Sequence, residues 1–234
     1  MALPKLVVQE HELILPFSGQ EIKFRALTVG EEKILAIAKS SENEKEIMTA
    51  IKQVITRCTF DQVKPNDIAL VDFEYLFLNI RIRSKGEVSD LRMMCMADDC
   101  GKMVDVSVDL TDSKQENFEI DSKIDLGGDI GIKMNAPTLN VMNSMLNKKL
   151  SEYEQSLRII ESCVDYIYDD DGIYHLKDST RKEIDVFMSS ITSEGRGKIQ
   201  EFMDALPTIY FDVDYKCSCG HDNHRVIKGI DNFF

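Results

Sequence analysis

The sequence lacks any long hydrophobic run, and this absence limits the kind of protein that it can form. A helix that crosses a membrane needs about 20 consecutive apolar residues, and none of the 234 positions starts such a stretch. The opening residues, MALPKLVVQEHELILPF, contain one lysine and no long apolar stretch. They do not show the pattern of a signal peptide. We therefore expect no membrane span, and either a cytosolic protein or one that is assembled in a cytosol.

Basic residues are scarce relative to acidic ones. The chain has 28 lysines and arginines against 41 aspartates and glutamates, and its formal net charge is −13. No block of lysine and arginine stands out from this acidic background. Because a phosphate backbone would repel such a chain, we expect no broad binding to nucleic acid. The charge balance suits a subunit whose partners are other proteins.

The common catalytic signatures are also missing. The sequence contains no G-x-S-x-G, H-E-x-x-H or G-x-G-x-x-G motif, the patterns of hydrolases, zinc proteases and dinucleotide-binding enzymes. The zinc deaminase pattern, H-x-E with P-C-x-x-C, is absent as well. We therefore expect a protein that is not an enzyme.

Strands and helices are predicted in separate blocks along the chain. The stretch HELILPFSGQEIKFRAL alternates in polarity around a short polar turn and predicts a β-hairpin. Thr28 and Glu31 then have capping-box spacing before a run of helices. Strands, helices and strands follow, so we expect an α+β fold of helical segments packed with antiparallel strands. We expect one unit with two lobes, residues 1–86 and 87–234.

Two helix boundaries follow from local signals. Asp72 is expected to cap the third helix, and Ser151 with Glu154 forms a second capping box. The apolar residues after that box recur at helical spacing and predict a helix that reaches residue 167. They are Leu157, Ile160, Val164 and Ile167.

Two close cysteine pairs are the main candidates for chemistry. Cys95 and Cys100 form a C-x4-C pair, Cys217 and Cys219 form a C-x-C pair, and a glycine follows the second cysteine of each pair. In a reducing compartment, such pairs are more often metal ligands than disulfides. Each pair lies between strand-like flanks, which is the layout of a zinc knuckle, although the usual spacing is C-x2-C. Two knuckles make a tetrahedral four-cysteine zinc site.

Several alternatives to this zinc site stay open. His221 or His224 would serve as a ligand in place of one cysteine, and an iron–sulfur cluster would use the same thiolates. The cysteines would also be compatible with two turns that hold no metal. If zinc binds, four thiolates close its coordination, so we expect a structural metal that joins the middle strands to the C-terminal strand.

The remaining cysteines and the chain's last residues carry separate expectations. Cys58 and Cys163 lie on the apolar stripes of predicted helices, where they are expected to be buried and chemically inert. The chain ends on Phe233 and Phe234. These aromatic residues would either dock into the protein's own core or anchor an interface with a partner.

Several stretches together resemble the baseplate hub subunits of T4-type contractile-tailed bacteriophages. They are LPFSGQEIKFRALTVGEEKIL, IKQVITRC, VDFEYLFLNIRIRSKGE and CSCGHDNHRVIKGIDNFF. The resemblance is densest over residues 14–100 and 199–234. It implies a non-enzymatic virion assembly or viral structural protein whose partners are other phage baseplate and hub proteins. It further implies a place in the tail baseplate of the virion, after assembly in the host cytoplasm.

A second class of protein is compatible with the cysteine pairs. Paired knuckles are common in zinc-ribbon interaction modules of transcription or processing complexes. Such a module needs a basic or aromatic surface for nucleic acid, and the net charge of −13 argues against one.

Overall fold

A computed structural model describes residues 6–115, 121–141 and 151–229 of the protein. The chain divides into two units. Met1–Glu116 and Thr208–Phe234 belong to the first, and Asn117–Pro207 forms the second.

The predicted α+β class is confirmed. The described residues form helices and antiparallel sheets, and a cluster of cysteines joins the middle strands to the C-terminal strands. The sequence-based lobes, 1–86 and 87–234, are a different division of the chain and stay a prediction. Phe233 and Phe234 lie outside the described residues.

All strand pairings in the described part of the chain are antiparallel. In chain order the strands are β1 (Glu10–Ile14), β2 (Glu21–Arg25), β3 (Val88–Met94), β4 (Met103–Asp109), β5 (Lys114–Gln115), β6 (Lys123–Gly127), β7 (Ile130–Met134), β8 (Val164–Tyr168), β9 (Ile173–Tyr174), β10 (Ile209–Lys216) and β11 (Asp222–Lys228).

The helices fall between these strands in two groups. They are α1 (Val29–Ser40), α2 (Glu44–Cys58), α3 (Leu70–Lys85), α4 (Glu152–Cys163), α5 (Arg181–Ser190) and α6 (Ser193–Asp204). Among the described residues, no helix is long and apolar enough to cross a membrane.

The first unit begins with the predicted hairpin of β1 and β2. Ile14 pairs with Glu21 next to the turn, and the alternation of the sequence places Ile22 and Phe24 in the core. The hairpin is followed by α1, whose start carries the predicted capping box of Thr28 and Glu31. Local sequence signals therefore account for the first hairpin and for the start of the first helix in this unit.

The prediction that Asp72 caps α3 is wrong. The helix begins two residues earlier, at Leu70, and Asp72 is fully buried in its first turn. Its carboxylate accepts the backbone N–H groups of Phe17 at 2.8 Å and Ser18 at 3.0 Å. Asp72 thus binds the turn between β1 and β2 to the start of α3, since a buried carboxylate needs such donors to offset its lost hydration.

Two longer hairpins carry the cysteine pairs in the first unit. β3 pairs with β4 from Val88 opposite Asp109 to Met94 opposite Met103. β10 pairs with β11 along its length and also with the short strand β5 at its start. Along β10 the residues alternate between buried and more exposed positions, as expected for a strand with one face on the core.

The second unit is built on a four-stranded sheet in the order β6-β7-β8-β9. Its core contains side chains from the sheet and from α4 and α6. The buried members are Ile124, Ile132, Met134, Ile160, Cys163, Val164, Ile199 and Phe202.

The predicted helix through residue 167 is wrong in its last turn. α4 ends at Cys163, and the chain continues directly as strand β8. The segment from Val164 to Tyr168 is rich in β-branched and aromatic residues, which favour a strand. Pairing with β7, with Val164 opposite Met134, provides the neighbouring strand that a helix-spacing argument does not consider.

Glu31 provides a test of the packing around α1. It is buried and forms an ion pair with Arg25 at 3.1 Å. Burial alone would raise the pKa of Glu31. Hydrogen bonds from Arg25 and Thr28 outweigh this effect and lower the pKa from 4.5 to about 2. The ionised carboxylate therefore stabilises the fold above pH 4.5, and this contribution is lost as the pH falls from 4.5 towards 2.

We predict that Glu31→Gln lowers the free energy of unfolding by up to about 3 kcal/mol at neutral pH. The difference from the wild-type protein should narrow as the pH falls below 4.5. Urea unfolding measured across this pH range checks the prediction. Glu32→Gln is the control, because it removes a neighbouring carboxylate and leaves the Arg25 pair intact. A difference between wild type and Glu31→Gln that does not change with pH would contradict the assignment.

Candidate metal centre

The four predicted cysteines lie at the ends of two hairpins. Cys95 directly follows β3 and Cys100 lies in the turn before β4, while Cys217 directly follows β10 and Cys219 lies in the turn before β11. In each turn, the backbone N–H of the first cysteine donates to a carbonyl on the other side. These bonds measure 2.8 Å for Cys95 and 3.0 Å for Cys217. Each hairpin therefore ends in a closed turn that presents two sulfur atoms.

The glycine after each pair has the backbone conformation that glycine favours. Gly101 has a φ of 57° and Gly220 a φ of 95°, values at which a Cβ atom would be strained. Backbone N–H groups in these turns lower the pKa of two of the thiols: that of Lys102 acts on Cys100, and that of Cys219 acts on Cys217. The prediction that glycine permits this turn geometry agrees with the structure.

The four sulfur atoms converge on one point. The Sγ atoms of Cys95 and Cys219 are 3.7 Å apart, and so are those of Cys100 and Cys217. All four lie within 4.8 Å of one another. A tetrahedral ion with metal–sulfur bonds of about 2.3 Å places its sulfur atoms about 3.8 Å apart. The spacing and the four-thiol donor set therefore fit a single tetrahedral metal ion.

The centre is buried on one side and open on the other. Cys95 and Cys217 are buried, Cys100 is partly exposed and Cys219 is exposed. All four are free cysteines, since no disulfide joins them. The open side gives a metal ion a route to the sulfur atoms.

The turns also polarise the thiols. The backbone N–H of Cys219 lowers the pKa of Cys217 to about 6, with further help from the neighbouring sulfur atoms. At Cys100 the backbone N–H of Lys102 lowers the pKa, but burial and the neighbouring thiols raise it more, to about 11. The backbone N–H therefore favours the thiolate form of Cys217, whereas burial and the neighbouring thiols favour the protonated form of Cys100.

Asn223 connects the two turns. Its side-chain oxygen accepts the backbone N–H of Met96 at 2.7 Å, and its side-chain nitrogen donates to the carbonyls of Tyr215 at 3.3 Å and His221 at 3.1 Å. Asn223 is buried. A single side chain therefore links the turn of one hairpin to the turn of the other.

Tyr215 adds a second link, because its hydroxyl donates to the carbonyl of Met94 at 2.7 Å. The sequence reasoning missed both Asn223 and Tyr215. They are the first and last residues of the stretch YKCSCGHDN that contains the second cysteine pair. Polar residues next to predicted ligands are the signal that would have found them, because ligand positions in metal sites are commonly held by hydrogen-bonded neighbours.

The two histidines near the second cysteine pair lie outside the cluster. The group of candidate ligands found among the described residues contains the four cysteines alone. His224 Nδ1 lies 2.8 Å from a carboxylate oxygen of Asp214 on the neighbouring strand. His221 is exposed, and its backbone carbonyl accepts hydrogen bonds within the turn. The geometry therefore favours the four-cysteine alternative.

Cys58 and Cys163 are buried in the cores of the first and second units. Burial raises the pKa of each thiol to about 11. Both therefore stay protonated at neutral pH and behave as small apolar side chains, as predicted.

The first unit thus defines a class of α+β protein in which two antiparallel hairpins meet at a four-cysteine cluster. The chain belongs to the family described as T4 bacteriophage base plate protein, which it matches over residues 8–234. It is therefore a phage baseplate protein. No curated protein and no solved structure is significantly similar to it.

Asn223 is expected to contribute more to stability than its position in an outer strand suggests. We predict that Asn223→Ala lowers the free energy of unfolding by about 1–3 kcal/mol, because buried backbone groups of both turns lose their partner. Denaturant unfolding measures this change. Asn66→Ala, at an exposed asparagine of the same unit, is the matched control and should change stability by less than about 0.5 kcal/mol. Equal effects of the two substitutions would contradict the proposed link.

Proposed function

We propose that the protein is a non-enzymatic component of the central hub of a contractile-tail baseplate. It builds or assembles the hub through contacts with other baseplate and hub proteins. The observation that carries this proposal is the family match over nearly the whole chain. The family match also argues against a transcription or processing module, because the family's description names a structural part of a virus.

The more specific assignment to the hub rests on the sequence resemblance, most of which lies in the first unit. This unit contains nearly all of the two stretches in which the resemblance to hub subunits is densest, residues 14–100 and 199–234. It also contains the four-cysteine cluster. The hub resemblance and the candidate metal centre therefore belong to one folded unit.

We further propose that the cluster holds a structural zinc ion through Cys95, Cys100, Cys217 and Cys219. Four thiolates fill a tetrahedral site and leave no position for a substrate or a reactive water molecule. The sulfur spacing favours a single ion over an iron–sulfur cluster, because the iron and sulfide atoms of a cluster separate its thiolate ligands more widely. Zinc would stabilise the fold by cross-linking the two hairpins and offsetting half of the charge of the thiolates.

Elemental analysis of the purified protein is expected to give about one zinc per chain. Cys217→Ser should lose the metal and lower the unfolding temperature, because three thiolates hold zinc less tightly than four. Cys163→Ala is the matched control: it removes a buried thiol from the other unit and should retain the metal. Full metal retention in a variant that combines Cys95→Ser with Cys217→Ser would refute the site, and stoichiometric iron would refute zinc.

The aromatic end of the chain gives a second prediction. If Phe233 and Phe234 anchor a partner, deleting both should weaken baseplate assembly and leave the protein's unfolding temperature within a few degrees of wild type. Complementation of a phage that lacks the gene, followed by electron microscopy of assembled baseplates, measures the first effect. A deletion variant that unfolds would instead assign the two residues to the protein's own core.

The hub assignment itself is tested in the phage. Blocking translation of this gene during infection should leave tails and baseplates unassembled, and restoring the protein in trans should rescue them. A map of the purified baseplate, or of an assembly intermediate, should place the protein at the centre. Normal infectious particles formed without the protein would contradict the proposed function.

A further inference from the structure

A polar groove lies between β3 and β11 in the first unit. Its walls are Asp90–Met93 of β3 and Arg225–Lys228 of β11, and its volume is about 380 Å³. Within the described residues, β3 pairs only with β4 and β11 pairs only with β10. Proteins usually cover or blunt such free strand edges, because unpaired backbone groups invite pairing with another chain.

The hydrogen-bond pattern shows which groups of β3 are free. Residues of an antiparallel pair alternate between those that bond to the partner strand and those that point away. Cys95 bonds to Lys102 across the first turn, so the odd-numbered residues of β3 face β4. The backbone groups of Asp90 and Arg92 therefore point away from β4. The Met94 carbonyl, which has the same parity, indeed accepts its hydrogen bond from the other hairpin.

The same reasoning applies to β11. The backbone N–H of Gly229 donates to the carbonyl of Ile209 at 2.8 Å, so the odd-numbered residues face β10. The backbone groups of Val226 and Lys228 therefore point away from β10. Both strands thus present backbone donors and acceptors at the stretches that line the groove.

The charge of the groove is opposite to that of the whole chain. Asp90 and Arg92 are each held by a side chain of β4, at 2.6 Å and 3.2 Å respectively. Arg225 and Lys228 form no ion pair in the part of the chain that the structure describes. In a protein with a net charge of −13, these two cations make the groove a local site for negative charge.

We propose that this groove binds an extended acidic segment of another baseplate protein by strand addition. The backbone of the segment bonds to the free edge of β3 or β11, and its carboxylates pair with Arg225 and Lys228. Strand addition uses both the unpaired strand edges and the positive charge of the groove. The backbone groups give affinity, and the two cationic side chains select an acidic sequence. The inference rests on the proposed function, since it specifies the kind of partner segment that a hub protein would recognise.

The test uses the full-length protein labelled with ¹⁵N and a short synthetic peptide of repeated Glu-Glu-Val-Val, which places glutamates on both faces of the added strand. Binding should shift the amide resonances of Arg92, Val226 and Lys228 and slow their hydrogen exchange. A peptide with lysine in place of glutamate should not bind, and one with a central proline should bind more weakly, because proline lacks the donor that strand pairing needs.

Charge-reversal variants test whether the peptide binds at the groove or elsewhere on the surface. A variant with Arg225→Glu and Lys228→Glu should bind the acidic peptide at least about tenfold more weakly. Lys64→Glu is the matched control, because it reverses an exposed lysine of the same unit away from the groove. Equal weakening by the control would refute the groove as the binding site.

Four other results would overturn the proposal. They are no binding of the acidic peptide, binding without amide protection, tighter binding of a single-stranded DNA oligonucleotide, and amides that are protected in the free protein until residues 230–234 are deleted. The last result would mean that the protein's own C-terminal segment occupies the groove. Failure of peptide binding would leave the hub assignment intact, whereas normal assembly without the protein would leave peptide binding intact.

Discussion

The meeting of four sulfur atoms is the constraint on which the first unit depends. Cys95 and Cys219 are separated by 124 positions in the chain, yet their sulfur atoms are 3.7 Å apart. Four thiolates at such distances repel one another strongly in a partly buried site. The site therefore needs either protons or a cation to remain assembled. A divalent ion held by the four thiolates would offset this repulsion and link the two hairpins.

Neutral hydrogen bonds prepare the polypeptide for that link. Asn223 and Tyr215 each connect the two hairpins without using a cysteine. Asp72 links another pair of distant segments, because its carboxylate binds the turn between β1 and β2 to α3. The protein thus holds its hairpins with uncharged or fully satisfied contacts, and the sulfur atoms arrive in nearly the positions that a tetrahedral ion requires. Such preorganisation lowers the cost of ordering ligands when the ion binds.

Sequence reasoning succeeded where the information was local or where ligand chemistry implied a distant partner, and it failed where only the folded chain supplies that partner. The hairpin of β1 and β2, the capping boxes and the clustering of the four cysteines follow from spacing, turn residues and ligand chemistry. The end of α4 did not follow, because Val164 continues a helical pattern and only pairing with β7 makes it a strand. Asn223 was missed because asparagine next to a turn is common, and its partner Met96 is 127 positions away. The resemblance to T4-type baseplate proteins, confirmed over residues 8–234, pointed to a phage protein where composition alone could not.

The order of elements has a consequence for how the protein is made. β5 and β10 are paired within the first unit, with Gln115 opposite Ile209. The residues of the second unit are inserted in the chain between these two strands. On the ribosome, the inserted unit is complete before the second cysteine pair has been synthesised. The first unit must wait for its last hairpin, and until then Cys95 and Cys100 have no partners to share an ion with. Under the proposed zinc assignment, capture of the ion by all four cysteines would be a late step in synthesis, one that marks chains whose C-terminal hairpin has been made.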